Sequence, residues 1–417
     1  MNESTNGTRK TFNYGWIMVM VAPIFIGLGL GILGAISVYM KPLIADMGWL
    51  RGETAFAYLV GTTSLGLGGI FMGYLADRFS IRLVAIIGTL CLGGSLLLLS
   101  RQQSLWQFYL YYCLLGGLGV SAFHAPMLAN VGSWFDRNKG LALGIATAAV
   151  AAGQSGVPYL SQYLITAVGW RETYLILGMI LLAVLLPLSL LMRNPPGLER
   201  SVAGAKALPS SKGEGVLPIA PVTAVAWISV AVVFCCFVMA TPLVHVVALA
   251  QDLGIDAQSA AGLVSLIWAT GIVGRIIFGK LSDHIGGIRS WLLASAIQTV
   301  FVFWFVRMET LGGLYILGIL FGIGFSGVMT SFTICIREMV PLHMRGVSMG
   351  IVFFFAWSGM GLGGWQGGYF FDQTGDYGLS FINAAAAGVI NLAIVGALWM
   401  YVARRRSIVA TRLQPAS

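Results

Sequence analysis

Charge is what this sequence lacks. Only 9% of its 417 residues are Asp, Glu, Lys or Arg, while 58% are hydrophobic; an ordinary soluble domain, about a quarter charged, is excluded. Acidic residues are the scarcer kind, 15 against 24 basic, and none falls in the deep part of a long apolar run. An enzyme built on clustered Asp, Glu or His at one face of a bilayer is thereby disfavoured. The five cysteines (Cys91, Cys113, Cys235, Cys236, Cys335) all lie in apolar segments, where they read as small buried hydrophobes and not as disulfides or metal ligands. Neither a metal nor a cofactor is expected. Runs such as Gly66-Leu-Gly-Gly69 and Gly116-Gly-Leu-Gly119 have no preceding strand, which argues against a nucleotide-binding loop. The 55 glycines instead suit close helix packing in a membrane bundle.

What is present is a series of hydrophobic spans, at roughly 16–39, 54–76, 82–100, 105–134, 140–167, 172–192, 220–249, 258–280, 289–306, 311–335, 347–371 and 379–402, each long enough to cross a bilayer. The polar stretch 1–13 and the length of the first apolar run predict a retained helix, with no cleaved signal. Lysines and arginines concentrate in alternate connections and in the tail Arg404-Arg-Arg406, which predicts a multi-pass cell-membrane protein with both termini cytoplasmic. The same asymmetry accounts for most of the net charge of +9 without nucleic acid as a partner. Residues 193–219, rich in Pro, Gly, Ser and charge, form the expected cytoplasmic linker between six-helix lobes at 1–192 and 220–417. Nothing calls for more than a monomer.

The halves are related to each other. At a gap-free offset of 206 residues, Asp46-Met-Gly48 falls on Asp252-Leu-Gly254, Gly73-Tyr-Leu-Ala-Asp77 on Gly279-Lys-Leu-Ser-Asp283, Gly116 on Gly322 and Gly169 on Gly375. Duplication of a six-helix unit is a signature of two-lobed transporters whose site lies between the lobes near the midplane. Within span eight stands Arg275, in an otherwise apolar or weakly polar stretch at 260–279. A central arginine costs about 2.5 to 3.5 kcal/mol on insertion scales and is retained facing a protein interior or cavity. With no intramembrane carboxylate to pair with it, the cation predicts an anionic ligand, a carboxylate.

With two six-span halves and the loop Gly73-Tyr-Leu-Ala-Asp77-Arg78-Phe-Ser-Ile-Arg82, the chain resembles the major facilitator superfamily over essentially its whole length. The expected fold is therefore all-α, with twelve transmembrane helices in two pseudo-symmetric lobes. Tyr14-Gly-Trp16, Ser37-Val-Tyr-Met-Lys41, Gly169-Trp-Arg171 and Arg275 make it similar to the branch of monocarboxylate porters and oxalate:formate antiporters. That resemblance implies that Arg275 binds substrate carboxylate, that Lys41 attracts the anion at the outer mouth, and that spans 1, 4, 7 and 10 line a cavity flanked by 2, 5, 8 and 11. Polar residues so placed are His124, Asn130, Gln154, His245, Ser326 and Thr330. Two departures from the branch stand out: Gly271 occupies the place, one turn before Arg275, where animal proton-coupled relatives carry aspartate, and span eleven lacks the second cation of the oxalate antiporters. One fixed cation suits a monoanion. His245, with an ordinary pKa near 6.5, is the local candidate for a coupling proton, and His124 lies beside a proline kink at Pro126.

Of Phe353-Phe-Phe355 and Trp357, at least two are expected to face lipid, because successive residues point about 100 degrees apart; Phe354 and Trp357 are assigned to the pocket wall around the substrate's carbon skeleton. Asp77, Arg78 and Asp283 are assigned to gating, the two carboxylates facing the starts of spans eleven and five at Gly346 and Gly140. The expected function is alternating-access transport of a small organic monocarboxylate with a proton, the alternatives being organic anion exchange or export of amphipathic drugs.

Overall fold

The computed structural model describes residues 14–135, 139–195, 219–341 and 344–413. Most of the expected linker, 196–218, lies outside the described residues. Twelve helices long and apolar enough to cross a membrane follow one another: α1 (Gly15–Met47), α2 (Arg51–Arg78), α3 (Ile81–Leu99), α4 (Leu105–Ser133), α5 (Lys139–Val168), α6 (Trp170–Leu190), α7 (Pro221–Asp252), α8 (Ala257–Ile285), α9 (Gly287–Arg307), α10 (Leu311–Met339), α11 (Arg345–Thr374) and α12 (Gly378–Leu413). Among the described residues there is no strand. Because the number of crossings is even, residues 14 and 413 emerge on one face, here called the terminal side; the other is the far side.

Span one runs further than its hydropathy suggested. Beyond a break at Ala35 it continues as Ile36–Met47, carrying Lys41 and Asp46 within the helix, and stops only at Gly48, whose φ is 70°. Its offset partner Gly254 has φ 81°, and the second pair of turn glycines, Gly169 and Gly375, have φ 88° and 79°. A positive φ is open to glycine at no steric cost, so each of these turns closes on a glycine, although Gly169 (ψ 165°) and Gly375 (ψ -2°) differ in backbone shape.

The offset of 206 also governs packing. A Cβ on Gly153 (α5) would strike the carbonyl of Gly27 (α1), and one on Gly359 (α11) would strike that of Val233 (α7). Gly116 lies on the carbonyl of Gly61, just as Gly322 lies on that of Ile267. Lipid tails are as apolar as the helix faces, so membrane helices associate through such close backbone approaches. The first-half pairs α1/α5, α3/α6 and α2/α4 thus recur as α7/α11, α9/α12 and α8/α10, while the halves meet along α2/α11 and α5/α8.

This contact is lopsided. Toward the far side, Gly361 of α11 lies on Leu59 and Thr62 of α2, and Gly368 lies on the backbone of Arg51. Toward the terminal side, Gly69 and Gly73 of α2, Gly144 of α5, and Gly346 and Gly350 of α11 face open space. The halves are pressed together at the far side and stand apart at the terminal side.

Candidate functional site between the halves

Arg275 lies ten residues from the terminal-side end of α8, about 15 Å along the helix axis at 1.5 Å per residue. Its Nη1 donates to the carbonyl of Thr147 on α5, 3.2 Å away in the other half. It forms no ion pair among the described residues, so the rest of the guanidinium fork carries charge without a carboxylate to answer it. His124 of α4 is near enough to feel that charge. The imidazole meets the rings of Phe353 and Trp357 edge-on, with centroids 6.1 and 5.8 Å apart. One cation, one imidazole and two aromatic rings, drawn from α8, α4 and α11, therefore converge at the seam.

Two local features set this up. One turn before His124, residues Leu115–Val120 wind as a π-helix, a form that concentrates at functional sites; three glycines in Leu-Gly-Gly-Leu-Gly-Val were its signal in the sequence. On α8 the place one turn before Arg275 is occupied by the neighbouring helix: a Cβ on Gly271 would meet the Ser326 hydroxyl of α10, which would have to turn away. That buried hydroxyl has no hydrogen-bond partner among the described residues. Thr330 turns its hydroxyl back to the Ser326 carbonyl at 3.1 Å.

The rotation of α11 differs from the expectation in one respect. Phe355 is the exposed ring of the triplet, whereas Phe354 packs on Gly66 of α2 and Phe353 takes the place beside His124. One aromatic turns outward instead of two, because the α2/α11 seam supplies a second buried face. Asn130 and Gln154 do not reach the cluster: Asn130 donates to the Arg193 carbonyl at 3.1 Å, and Gln154 is buried against Gly34. At the periphery Asn391 bonds Ser295 at 2.9 Å and Asn383 bonds Gln366 at 3.1 Å.

Lys41 and His245 belong to a second, far-side network. The carboxylate of Asp252 receives Lys41 Nζ at 2.7 Å and both terminal nitrogens of Arg51 at 2.6 and 2.9 Å. Arg51 Nη1 also donates to the Tyr377 hydroxyl at 2.8 Å, and that hydroxyl is 3.2 Å from His245 Nδ1. Because Arg51 can only donate, the hydroxyl accepts from it and passes its own proton toward Nδ1. Nε2 then carries the hydrogen donated to the Gly364 carbonyl, 2.6 Å away. The chain of bonds is complete with His245 neutral. Asp372 accepts from the backbone nitrogens of Arg51 and Gly52 at 3.0 and 2.7 Å, capping α2 from the other half. Sequence reasoning missed Arg51, Asp252, Asp372 and Tyr377, which lie at helix ends where charge is unremarkable.

At the terminal side, Asp77 and Asp283 are exposed and without a polar partner among the described residues, and Arg78 donates to Tyr74 at 2.7 Å.

A bundle of twelve helices in two related halves, sealed at one face and holding a polar cluster at their seam, is the build of a secondary transporter. Residues 12–364 match the Major Facilitator Superfamily, and the chain belongs to that family. It is 28% identical over 387 residues to the uncharacterized MFS-type transporter YcxA of Bacillus subtilis (strain 168), covering 87% of this chain and 90% of that one. It is also 28% identical over 382 residues to monocarboxylate transporter 13 of Bos taurus, covering 89% and 86%. The crystal structure of a bacterial homolog of the human lysosomal transporter Spinster, inward-facing and unoccupied, superposes with a TM-score of 0.74 at 15% identity over 97% of this chain and 99% of that one. The protein is a membrane transporter and not an enzyme.

Proposed function

We propose that the protein carries small organic monocarboxylate anions across the cell membrane by alternating access, with the terminal side cytoplasmic and the two halves rocking about the seam. The observation that carries this reading is Arg275: an intramembrane cation at the seam that touches the opposite half, has no carboxylate partner among the described residues, and lies within electrostatic reach of His124, whose ring meets Phe353 and Trp357. A carboxylate takes the free arms of the fork in a bidentate bond, while Phe353 and Trp357 accept the carbon skeleton, as ligand pockets are mostly apolar. The monocarboxylate transporters among the relatives support the same class.

With Gly271 facing the Ser326 hydroxyl, α8 carries no proton-binding carboxylate one turn before Arg275. A coupling proton therefore travels on His245, on His124 or on the substrate itself, the alternative being exchange for a second anion. Lys41 serves the outer mouth, and Asp77, Arg78 and Asp283 serve the cytoplasmic gate when that side closes. Proteoliposome uptake of labelled lactate, pyruvate and benzoate, with and without an inward proton gradient, tests the proposal. Saturable uptake of at least one acid is expected; stimulation by the gradient marks symport and stimulation by a preloaded acid marks exchange. Uptake of none of a broad monocarboxylate panel would refute it.

A further inference from the structure

The far-side network breaks the internal symmetry at one place. In the first half Asp46 pairs with Arg171 of the same half at 3.2 Å. The offset carries Asp46 to Asp252 and Arg171 to Tyr377, so the second half keeps the carboxylate and lacks its arginine. Asp252 takes its cations from the first half instead, Lys41 from α1 and Arg51 from α2. What is an internal staple in one half is, in the other, a bond between halves that must break whenever the far side opens.

We propose that Lys41 and Arg51 form a carboxylate-binding subsite at the far mouth, separate from Arg275, and that Asp252 is its internal occupant while the far side is closed. The inference rests on the monocarboxylate reading above. While the far side is closed, both terminal nitrogens of Arg51 point at one carboxylate. That is the geometry in which arginine recognises any carboxylate. Lys41 adds a third donor to the same oxygens.

The subsite is reachable from solvent. Side chains of Lys41 and Asp252 are 32% and 31% exposed, and that of Arg51 is 13% exposed. When the halves part, Asp252, Phe371 and Tyr377 leave together with the second half, while Lys41 and Arg51 remain on the first. An arriving anion takes the contacts that Asp252 has vacated. Because the two carboxylates compete for the same donors, an anion at the mouth favours the open far side, and its passage inward to Arg275 lets Asp252 return. Binding at the mouth and closure of the gate exclude each other.

The amides of Arg51 and Gly52 report on the gate directly, since both are bonded to Asp372 across the seam. Hydrogen exchange of the peptide carrying them is measured on the full chain in detergent, titrating sodium benzoate against sodium chloride at equal ionic strength. Benzoate is expected to speed exchange about threefold where chloride does not, as local opening is populated. Asp252→Asn, which removes the competitor and keeps both cations, should lower the half-saturating benzoate roughly fivefold, the factor matching the upper range for a half-exposed ion pair. Lys41→Gln, which leaves the bidentate Arg51 pair in place, should raise it. Arg275→Ala should keep the benzoate response.

An equal response to chloride and benzoate overturns the subsite, and so does an Asp252→Asn protein that needs more benzoate than the parent. A response lost in Arg275→Ala and intact in Lys41→Gln places the anion at the seam alone; it refutes the subsite and leaves the carboxylate reading standing. The expected far-side responses in an Arg275→Ala protein that still transports at the parental rate would support the subsite while removing Arg275 as the anchor.

Discussion

Replacing Arg275 by lysine keeps the charge and removes the fork. In the structure one arm of the guanidinium is spent on the Thr147 carbonyl, which leaves the remaining nitrogens for ligand. Lysine's ammonium on its flexible stem cannot hold the carbonyl and two carboxylate oxygens in one plane. The substitution therefore forfeits one charge-assisted hydrogen bond, about 1.5 to 3 kcal/mol. At about 1.4 kcal/mol per decade this is roughly a 10- to 150-fold weaker affinity. Arg275→Ala removes the cation altogether, for which truncating one partner of a buried charged pair costs about 2 to 5 kcal/mol, and uptake should fall to the level of empty vesicles. The assay is the concentration dependence of labelled acid uptake into proteoliposomes containing equal amounts of monodisperse protein. A larger half-saturating concentration for Arg275→Lys with an intact elution profile is the expected outcome. Parental transport by a folded Arg275→Ala protein would refute the assignment.

Other substitutions probe the packing and the network separately. Gly271→Ala drives a methyl into the Ser326 hydroxyl and should cost about 1 to 3 kcal/mol, seen as a lower thermal unfolding midpoint that Ser326→Gly restores; a neutral Gly271→Ala would show the α8/α10 spacing to be looser than described. Gly359→Ala, which meets the backbone of Val233, should reduce folded yield sharply, whereas Gly346→Ala, facing open space, should be tolerated and gain up to about 1 kcal/mol of helix propensity. Equal yields from both would contradict the close approach of α7 and α11 at Gly359. Tyr377→Phe leaves His245 Nδ1 buried without its donor and should destabilise by about 1 to 3 kcal/mol; an unchanged midpoint would show that the bond is not formed. His245→Gln should flatten the pH profile of uptake while substrate still binds, and an unchanged profile would leave substrate protonation or anion exchange as the means of coupling.

Twelve spans, their duplication and the intramembrane cation were legible in the sequence because each follows from local chemistry. A span is a hydrophobic length, a repeat is a string comparison, and an arginine among apolar residues carries its desolvation cost wherever the helix packs. The offset of 206 went further than expected: it anticipated which glycines touch which backbones, since equivalent helices in duplicated halves share crossing points.

Helix rotation and long-range pairing were decided by the tertiary structure. Which of Phe353, Phe354 and Phe355 faces the seam depends on the azimuth of α11 against α2, and three consecutive phenylalanines give no periodicity from which to read it. The partners of Asp252 lie 201 and more residues away, and a charge at a helix end has the same sequence signature whether it rests in water or bonds the opposite half. Gly271 shows both sides of this division. Its sequence position revealed that a carboxylate is missing beside Arg275, and only the packing of α10 showed that Ser326 fills the space.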